Sequence, residues 1–203
     1  MTITNGYATD EELREQFDDG GSILPEALLH RAINATSRAI DDYCDRRFWQ
    51  DQTVVARTYR PEHPTMAWVD DISTSTGLVV KVDSGMDGTF ATTWTLNSEF
   101  VLRPGNAAAD GRPWFQVVAV DGNTFYCSAR DTLQVTAKFG WAAIPDEVNQ
   151  ACILRAAALF KRRESIDGVR GFDSFGVVRI SNRRDPDVVE LLQGFVRTDR
   201  MVA

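Results

Sequence analysis

The side chains able to do chemistry are few and scattered. There are two histidines, His30 and His63. His30 falls inside an amphipathic helical pattern and His63 in a proline-flanked loop. Neither belongs to an HxH or HExxH spacing that would converge on a metal or a scissile bond. The three cysteines, Cys44, Cys127 and Cys152, are far apart and form no CxxC. They read as three buried thiols of a cytoplasmic protein, not as a zinc site or disulfide framework. Asp83 and Asp87 bracket a glycine as in a calcium loop, but the DxDxDG spacing and distal glutamate are missing, so a β-turn explains them. Asp41, Asp42 and Asp45 read as a solvated helix face. There is no P-loop, no GxGxxG after a strand and no GxSxG nucleophile. Trp49, Trp68, Trp94, Trp114 and Trp141 lie in or beside one β-rich section and read as its core. The sequence offers nothing for an enzyme, and no cofactor or metal is expected.

Charge is the remaining chemical signal. Of the 203 residues, 22 are Lys or Arg and 29 Asp or Glu, a net charge of −7. That balance argues against general nucleic-acid binding, which needs cations on phosphates. The distribution is uneven. Residues 1–50 are strongly acidic, whereas residues 155–184 carry Arg155, Lys161, Arg162, Arg163, Arg170, Arg179, Arg183 and Arg184 against Glu164, Asp167 and Asp173. The basic stretch suits either an anion or nucleic-acid patch or the acidic surface of a protein, including an identical neighbour. Few aromatic side chains accompany it and no nucleic-acid motif does, which favours the protein surface.

Several elements must position these groups. Thr9 and Glu12 have capping-box spacing, predicting a short helix over 10–18 that Gly20-Gly21 ends. Pro25 and Glu26 open a second helix, with Leu28, Leu29, Ala32, Ile33, Thr36, Ile40, Tyr43 and Cys44 on one face, running out near Arg46-Arg47. From residue 51 the pattern changes. Segments 53–59, 77–82, 92–96, 115–120 and 132–139 are β-branched and aromatic, separated by Asp-Gly and Pro-Gly turns. Pro145-Asp146-Glu147 starts a helix to about Arg163 that is apolar nearly all round, and such a helix is covered on more than one side. Residues 165–176 read as a glycine-containing loop and 176–181 as extended. Asp185 and Pro186 cap a last short helix.

The expected fold class is α+β. A helical domain of about four helices, residues 1–50 and 140–203, is interrupted by an antiparallel β domain, residues 51–139, built as a sandwich or small barrel. Leu28, Ile33, Ile40 and Leu159 are expected to share the helical core. No apolar run approaches the roughly 18 residues of a membrane span, so no membrane partner is expected. The first residues have neither the basic flank nor the apolar stretch of a secretory signal.

Taken in order, the two ends of the chain resemble a known family. Tyr7-Ala-Thr-Asp-Glu-Glu-Leu13 leads into a helix closing on Ala39-Ile-Asp-Asp-Tyr-Cys-Asp-Arg-Arg-Phe48. Then come Phe139-Gly-Trp-Ala-Ala-Ile-Pro-Asp-Glu-Val148, Ala157-Ala-Leu-Phe-Lys-Arg-Arg163, Gly176-Val-Val-Arg-Ile180 and Asp185-Pro-Asp-Val188. This order is similar to the head–tail connector (adaptor, or head-completion) proteins of long-tailed double-stranded DNA bacteriophages. It covers roughly residues 7–48 and 139–196. The β section departs from the shortest, nearly all-helical members and resembles the insertion of longer ones.

The resemblance implies a structural virion protein at the neck, assembled in the host cytoplasm. It implies a closed ring of about twelve copies below the portal protein. DNA would pass through its channel without sequence-specific binding, and a further connector or tail component would dock beneath. For the portal contact it points to the C-terminal segment: Val177, Val178, Arg179, Ile180, Asp185, Pro186, Val188, Leu191, Leu192 and Phe195. Glycines around it would let it swing, so a chain cut after Arg184 is expected to stay folded yet fail to join heads. For the ring contact, the charge pattern points to Arg155, Lys161, Arg162 and Arg163 against Asp10, Glu11 and Glu15 of a neighbour. The alternatives are another virion component, such as a tail terminator or decoration protein, and a nucleic-acid-binding module using residues 155–184.

Overall fold

The computed structural model describes residues 2–17, 25–164, 169–173, 176–179 and 185–197; for 161–164 and the two short segments after them it describes the backbone. The chain divides into two compact units, one made of Met1–Arg47 and Ile144–Ala203, the other of Phe48–Ala143.

The first unit is helical. Helix α1 (Asp10–Arg14) starts with both halves of the capping box, Thr9 accepting from the Glu12 amide and Glu12 from that of Thr9. It stops sooner than the sequence suggests. Helix α2 (Glu26–Cys44) follows Pro25, which sits at the N-cap position in an extended conformation. It ends where Asp45 turns left-handed (φ 49°), before Arg46-Arg47. Helix α3 (Asp146–Glu164) is the centre of the unit, packed against α1, α2 and helix α4 (Pro186–Gln193). Three neighbours explain how a helix apolar nearly all round can exist: Val148, Ala151, Cys152, Ile153, Ala156, Ala157 and Phe160 are all buried. Leu29, Ile33, Ile40 and Cys44 of α2 complete this core.

Two expectations change here. Leu28 is only half-buried and Leu159, placed in the core by the periodicity, is 44% exposed. The apolar pattern of α3 reaches further round the helix than its three neighbours do. The glycine-containing segment read as a loop contains strand β7 (Val169–Asp173), paired antiparallel with β8 (Gly176–Arg179). The pairs Val169 with Arg179, Arg170 with Val178 and Asp173 with Gly176 hold the strand, and Gly171 falls in the register shift between Arg170 and Asp173.

The second unit is one antiparallel sheet, neither a sandwich nor a closed barrel. Its strands are β1 (Val55–Tyr59), β2 (Met66–Val82), β3 (Thr92–Trp94), β4 (Phe100–Arg103), β5 (Trp114–Ala119) and β6 (Leu133–Phe139), in the order β1-β6-β2-β5-β4 with β3 also on β2. In β6 the buried and half-buried residues alternate without a break. Along β2 the buried positions are Ala67, Val69 and Asp71, then Ile72, Val80 and Val82. Register shifts between Trp68 and Ile72 move the inward face by one residue and bend the strand. The single sheet thereby curls around one core containing Val69, Val80, Phe100, Val117, Val135 and Phe139. Just after β6, Gly140 lets the chain pass against the segment that precedes β1: at φ +102° a Cβ there would lie 1.9 Å from the Trp49 carbonyl oxygen.

Candidate functional site

The groups with chemical potential are absorbed by the fold. His30 is buried on α2, 3.5 Å from Glu26 one turn earlier. The His63 ring nitrogen accepts from the Thr65 amide at 3.2 Å within its loop. Of the three cysteines expected to be buried, Cys44 and Cys152 are, and Cys127, in the turn-rich segment between β5 and β6, is exposed. Burial pushes the Cys44 thiol up to about 12 and that of Cys152 to about 11, which makes neither a nucleophile. Asp83 is buried and accepts from the amides of Asp87 (3.3 Å) and Gly88 (2.7 Å), so its carboxylate builds a turn. Among the described residues, no three His, Cys, Asp or Glu side chains converge on a point that could hold a metal ion.

What remains is surface. On α1, Glu11 and Glu15 are exposed, while Asp10 is half-buried with its carboxylate 3.5 Å from the Arg14 Nε. Glu12 points inward: its pKa is lowered, chiefly by the Thr9 amide, and it accepts from the Asn149 side chain at 3.2 Å. Phe17 stacks obliquely on Phe160 with ring centres 5.2 Å apart. These two contacts lay α1 alongside α3 of the same chain. Glu12 thereby lies at the first turn of α3 and Phe17 beside Phe160, so α1 runs along α3 toward its basic end. Arg155 is half-buried on α3; Lys161, Arg162 and Arg163 occupy its last turns, where the helix dipole favours cations. Between them Leu159 stands exposed, with Leu154 and Ala158 half-buried beside it.

The C-terminal set is split by the structure. Val177, Val178 and Arg179 lie on β8, and Ile180 lies outside the described residues. Asp185 caps α4 by accepting from the Asp187 amide at 3.1 Å, and Pro186 is the first helical residue. Val188 (6% exposed), Leu192 (1%) and Phe195 (8%) are buried, with Leu191 half-buried. Beyond them the Arg197 amide donates to the Cys44 carbonyl at 2.9 Å. The apolar face of α4 thus covers the helical unit's own core, against α3, and is not displayed for a partner.

One feature escaped the sequence. Residues 2–7 run as a strap along α2, fastened by side chains one and two turns apart. The Thr4 amide donates to Asn34 at 2.9 Å, the Asn34 side chain donates to the Thr2 carbonyl at 3.0 Å, and Arg38 donates to the Asn5 carbonyl at 2.8 Å. The Tyr7 amide donates to Ser37 at 3.0 Å, and the Tyr7 hydroxyl donates to Asp41. Asn34, Ser37, Arg38 and Asp41 are spaced three and four apart. That stripe was legible, but its recipient was not.

With this geometry in hand, comparison with solved structures finds relatives in fold. One is a chain of the neck of an empty gene transfer agent (GTA) particle, computed with C6 symmetry: 18% identity, TM-score 0.58, covering 97% of this chain and 92% of that one. A second is a chain of the neck of the native GTA particle, computed with C12 symmetry: 17% identity, TM-score 0.55 and the same coverage. A third comes from the virion of the native particle: 17% identity, TM-score 0.53 and the same coverage.

The shared feature is the fold. It spans nearly the whole chain, β section included, in each pairing. No protein-family model matches the sequence. No curated protein matches it either.

Proposed function

We propose that this chain is a structural neck protein of a phage-like particle: a head–tail adaptor that forms a ring below the portal, extends the DNA channel and presents a surface to the next connector or tail component. The observation that carries the reading is the fold likeness to neck chains over 97% of the sequence. It extends to the β section, the part for which the helical motifs gave no warrant. A ring of about twelve copies fits a heterologous contact repeated around an axis. The particle's neck is the location, after assembly in the host cytoplasm.

The ring contact is proposed on the face of α3 that its neighbours leave open. Leu159 supplies the apolar centre. Arg155, Lys161, Arg162 and Arg163 supply cations for Glu11 and Glu15 of the adjoining copy, with Asp10 held partly by Arg14. The portal contact is proposed on β8, through Val177, Val178 and Arg179, together with Ile180, Asp185 and Pro186, which follow in sequence. A two-stranded antiparallel pair is marginal by itself in water and gains from a partner surface. DNA passes a chain of net charge −7 without being held.

Deleting the gene in the cell that makes the particle tests this. Filled heads and separate tails are expected by electron microscopy, rejoined when the chain is supplied. Normal tailed particles without the chain would overturn the reading.

A further inference from the structure

The curled sheet leaves two of its edges open, and the two are unlike. Across the second half of β2 the sheet is four strands wide: Ala56 pairs with Thr136, Thr136 with Val79, and Val80 with Trp94, giving the order β1-β6-β2-β3. In an antiparallel ladder, successive residues turn their peptide groups to opposite sides. The Asp83 amide donates to the Thr132 carbonyl at 2.9 Å and, past the other end of β6, the Gly140 amide donates to the Asp71 carbonyl at 2.7 Å, so even-numbered residues of β6 face β2 and odd-numbered ones face β1. The Thr132 amide, just before the strand, departs from this by donating to the Tyr59 carbonyl at 3.2 Å. The Phe139 carbonyl accepting from the Asp51 amide at 2.8 Å agrees. Val55, Arg57 and Tyr59 therefore bond β6, while Val54, Ala56 and Thr58 turn their N–H and C=O away from the sheet. By the same alternation Thr92 and Trp94 bond β2, and Thr93 turns outward.

Among the described residues, nothing bonds the outward peptide groups of Ala56 or Thr93. Both positions are exposed. Edge β4 is different: its outward Phe100 carbonyl is closed by the Asn97 amide at 2.8 Å. Natural edges are guarded by charge, proline or a bulge. Residues 52–56 and 88–96 contain no Asp, Glu, Lys, Arg or Pro. Val54, 45% exposed, even adds an apolar side chain at the rim.

We infer that the open edge of β1 in one copy pairs with the open edge of β3 in the next, so that the sheet continues from copy to copy around the ring. The inference rests on the ring proposed above and names a second contact within it. A second copy is the occupant because a cyclic head-to-tail contact needs two different patches on opposite sides of each subunit. These edges stand on opposite sides of the same four strands, about 14 Å apart at the usual strand spacing. Arg57 is the one charge on these two strands, and it is held by Asp70 at 2.7 Å, so it neither repels β3 nor calls for a charged partner. The ladder is short, so it fixes register between copies and adds to the α3 contact.

The test uses the full chain with Cys127→Ser, Val54→Cys and Thr93→Cys, treated with a short bis-maleimide. A ladder of linked dimers, trimers and larger species is expected. Each cysteine alone should give no linked species; a dimer from Val54→Cys alone means a symmetric β1 pairing and overturns the inference. Adding Ala56→Pro removes only an outward N–H, so the melting curve should hold while ladder yield falls at least tenfold. An undiminished ladder overturns the inference. Light scattering before linking separates the two proposals. Assembled species without a ladder overturn the edge pairing and leave the ring standing. A single-chain mass without a ladder overturns both.

Discussion

The side-chain amide of Asn149 donates to the main-chain carbonyl of Tyr7 at 2.9 Å, across 142 positions of sequence. It also reaches Glu12 at 3.2 Å. One residue in the first turn of α3 thereby fixes both the N-terminal strap and the cap of α1. Asn149→Ala should lower stability by about 1–2 kcal/mol, because two partly buried acceptors lose their donor. Urea denaturation should show a lower midpoint with an unchanged slope.

Gly140 should be far less replaceable than Gly88. Both have positive φ, +102° and +95°. A Cβ at Gly140 meets the Trp49 carbonyl, whereas nothing lies within 4 Å of one at Gly88. Gly88→Ala should cost about 1 kcal/mol from backbone conformation alone, and Gly140→Ala at least about 2 kcal/mol more. Equal melting temperatures for the two variants would contradict the close approach.

Two carboxyls should set opposite slopes of stability with pH. The pKa of Glu12 is lowered by the Thr9 amide, so its contribution is present above its ordinary value and is lost as pH falls through the lowered one. The pKa of Asp41 is raised, chiefly by burial, so the fold binds its proton more tightly than the unfolded chain does. Its effect is a loss of stability as pH rises from its ordinary value through the raised one. Glu12→Gln should therefore flatten the acid limb of a stability–pH curve. Asp41→Asn should steepen it. The same direction of change in both variants would show that one of these surroundings is wrongly assigned.

The helices were legible because their signals are local: Thr9 with Glu12, and the apolar stripe of α2, need no knowledge of the rest of the chain. Strand β6 was legible because it alternates cleanly. The first half of β2 was not, since it carries Asp70 and Asp71, residues that strands avoid. Asp71 is tolerated there because Trp141 donates to its carboxylate at 3.0 Å and Gly140 to its carbonyl at 2.7 Å. Those partners lie about seventy residues away in sequence. For the candidate site the limit was similar. An apolar stripe announces that a helix face will be covered and does not say by what. The faces of α4 and of Leu159 looked alike in sequence, yet the first is core and the second is open.

Leu159 allows a test of the ring contact that leaves the fold alone. At 44% exposure its replacement removes little buried area. Leu159→Glu should shift the melting temperature by no more than about 2 °C. It should place an acid among Arg155 and the cations of the last α3 turns within one copy, satisfying them internally. Assembly should then fall, measured as the fraction of chain in ring-sized species. A folded variant that assembles as well as the parent would remove this face from the interface.

The C-terminal helix supplies the sharpest contrast with what its sequence suggested. A docking segment could be cut away without harm to the fold. Here Val188, Leu192 and Phe195 are buried against α3, and Arg197 bonds the end of α2. Leu192, only 1% exposed, should cost about 2–4 kcal/mol as Leu192→Ala. Losing three such side chains together approaches the whole stability of a small unit, about 5–15 kcal/mol. A chain ending at Arg184 should therefore lose the cooperative unfolding of its helical unit and expose α3. The second unit keeps its own core, so its tryptophan fluorescence transition should survive. Retention of both transitions after truncation would return α4 to the docking role and leave the portal contact to the whole segment from β8 onward.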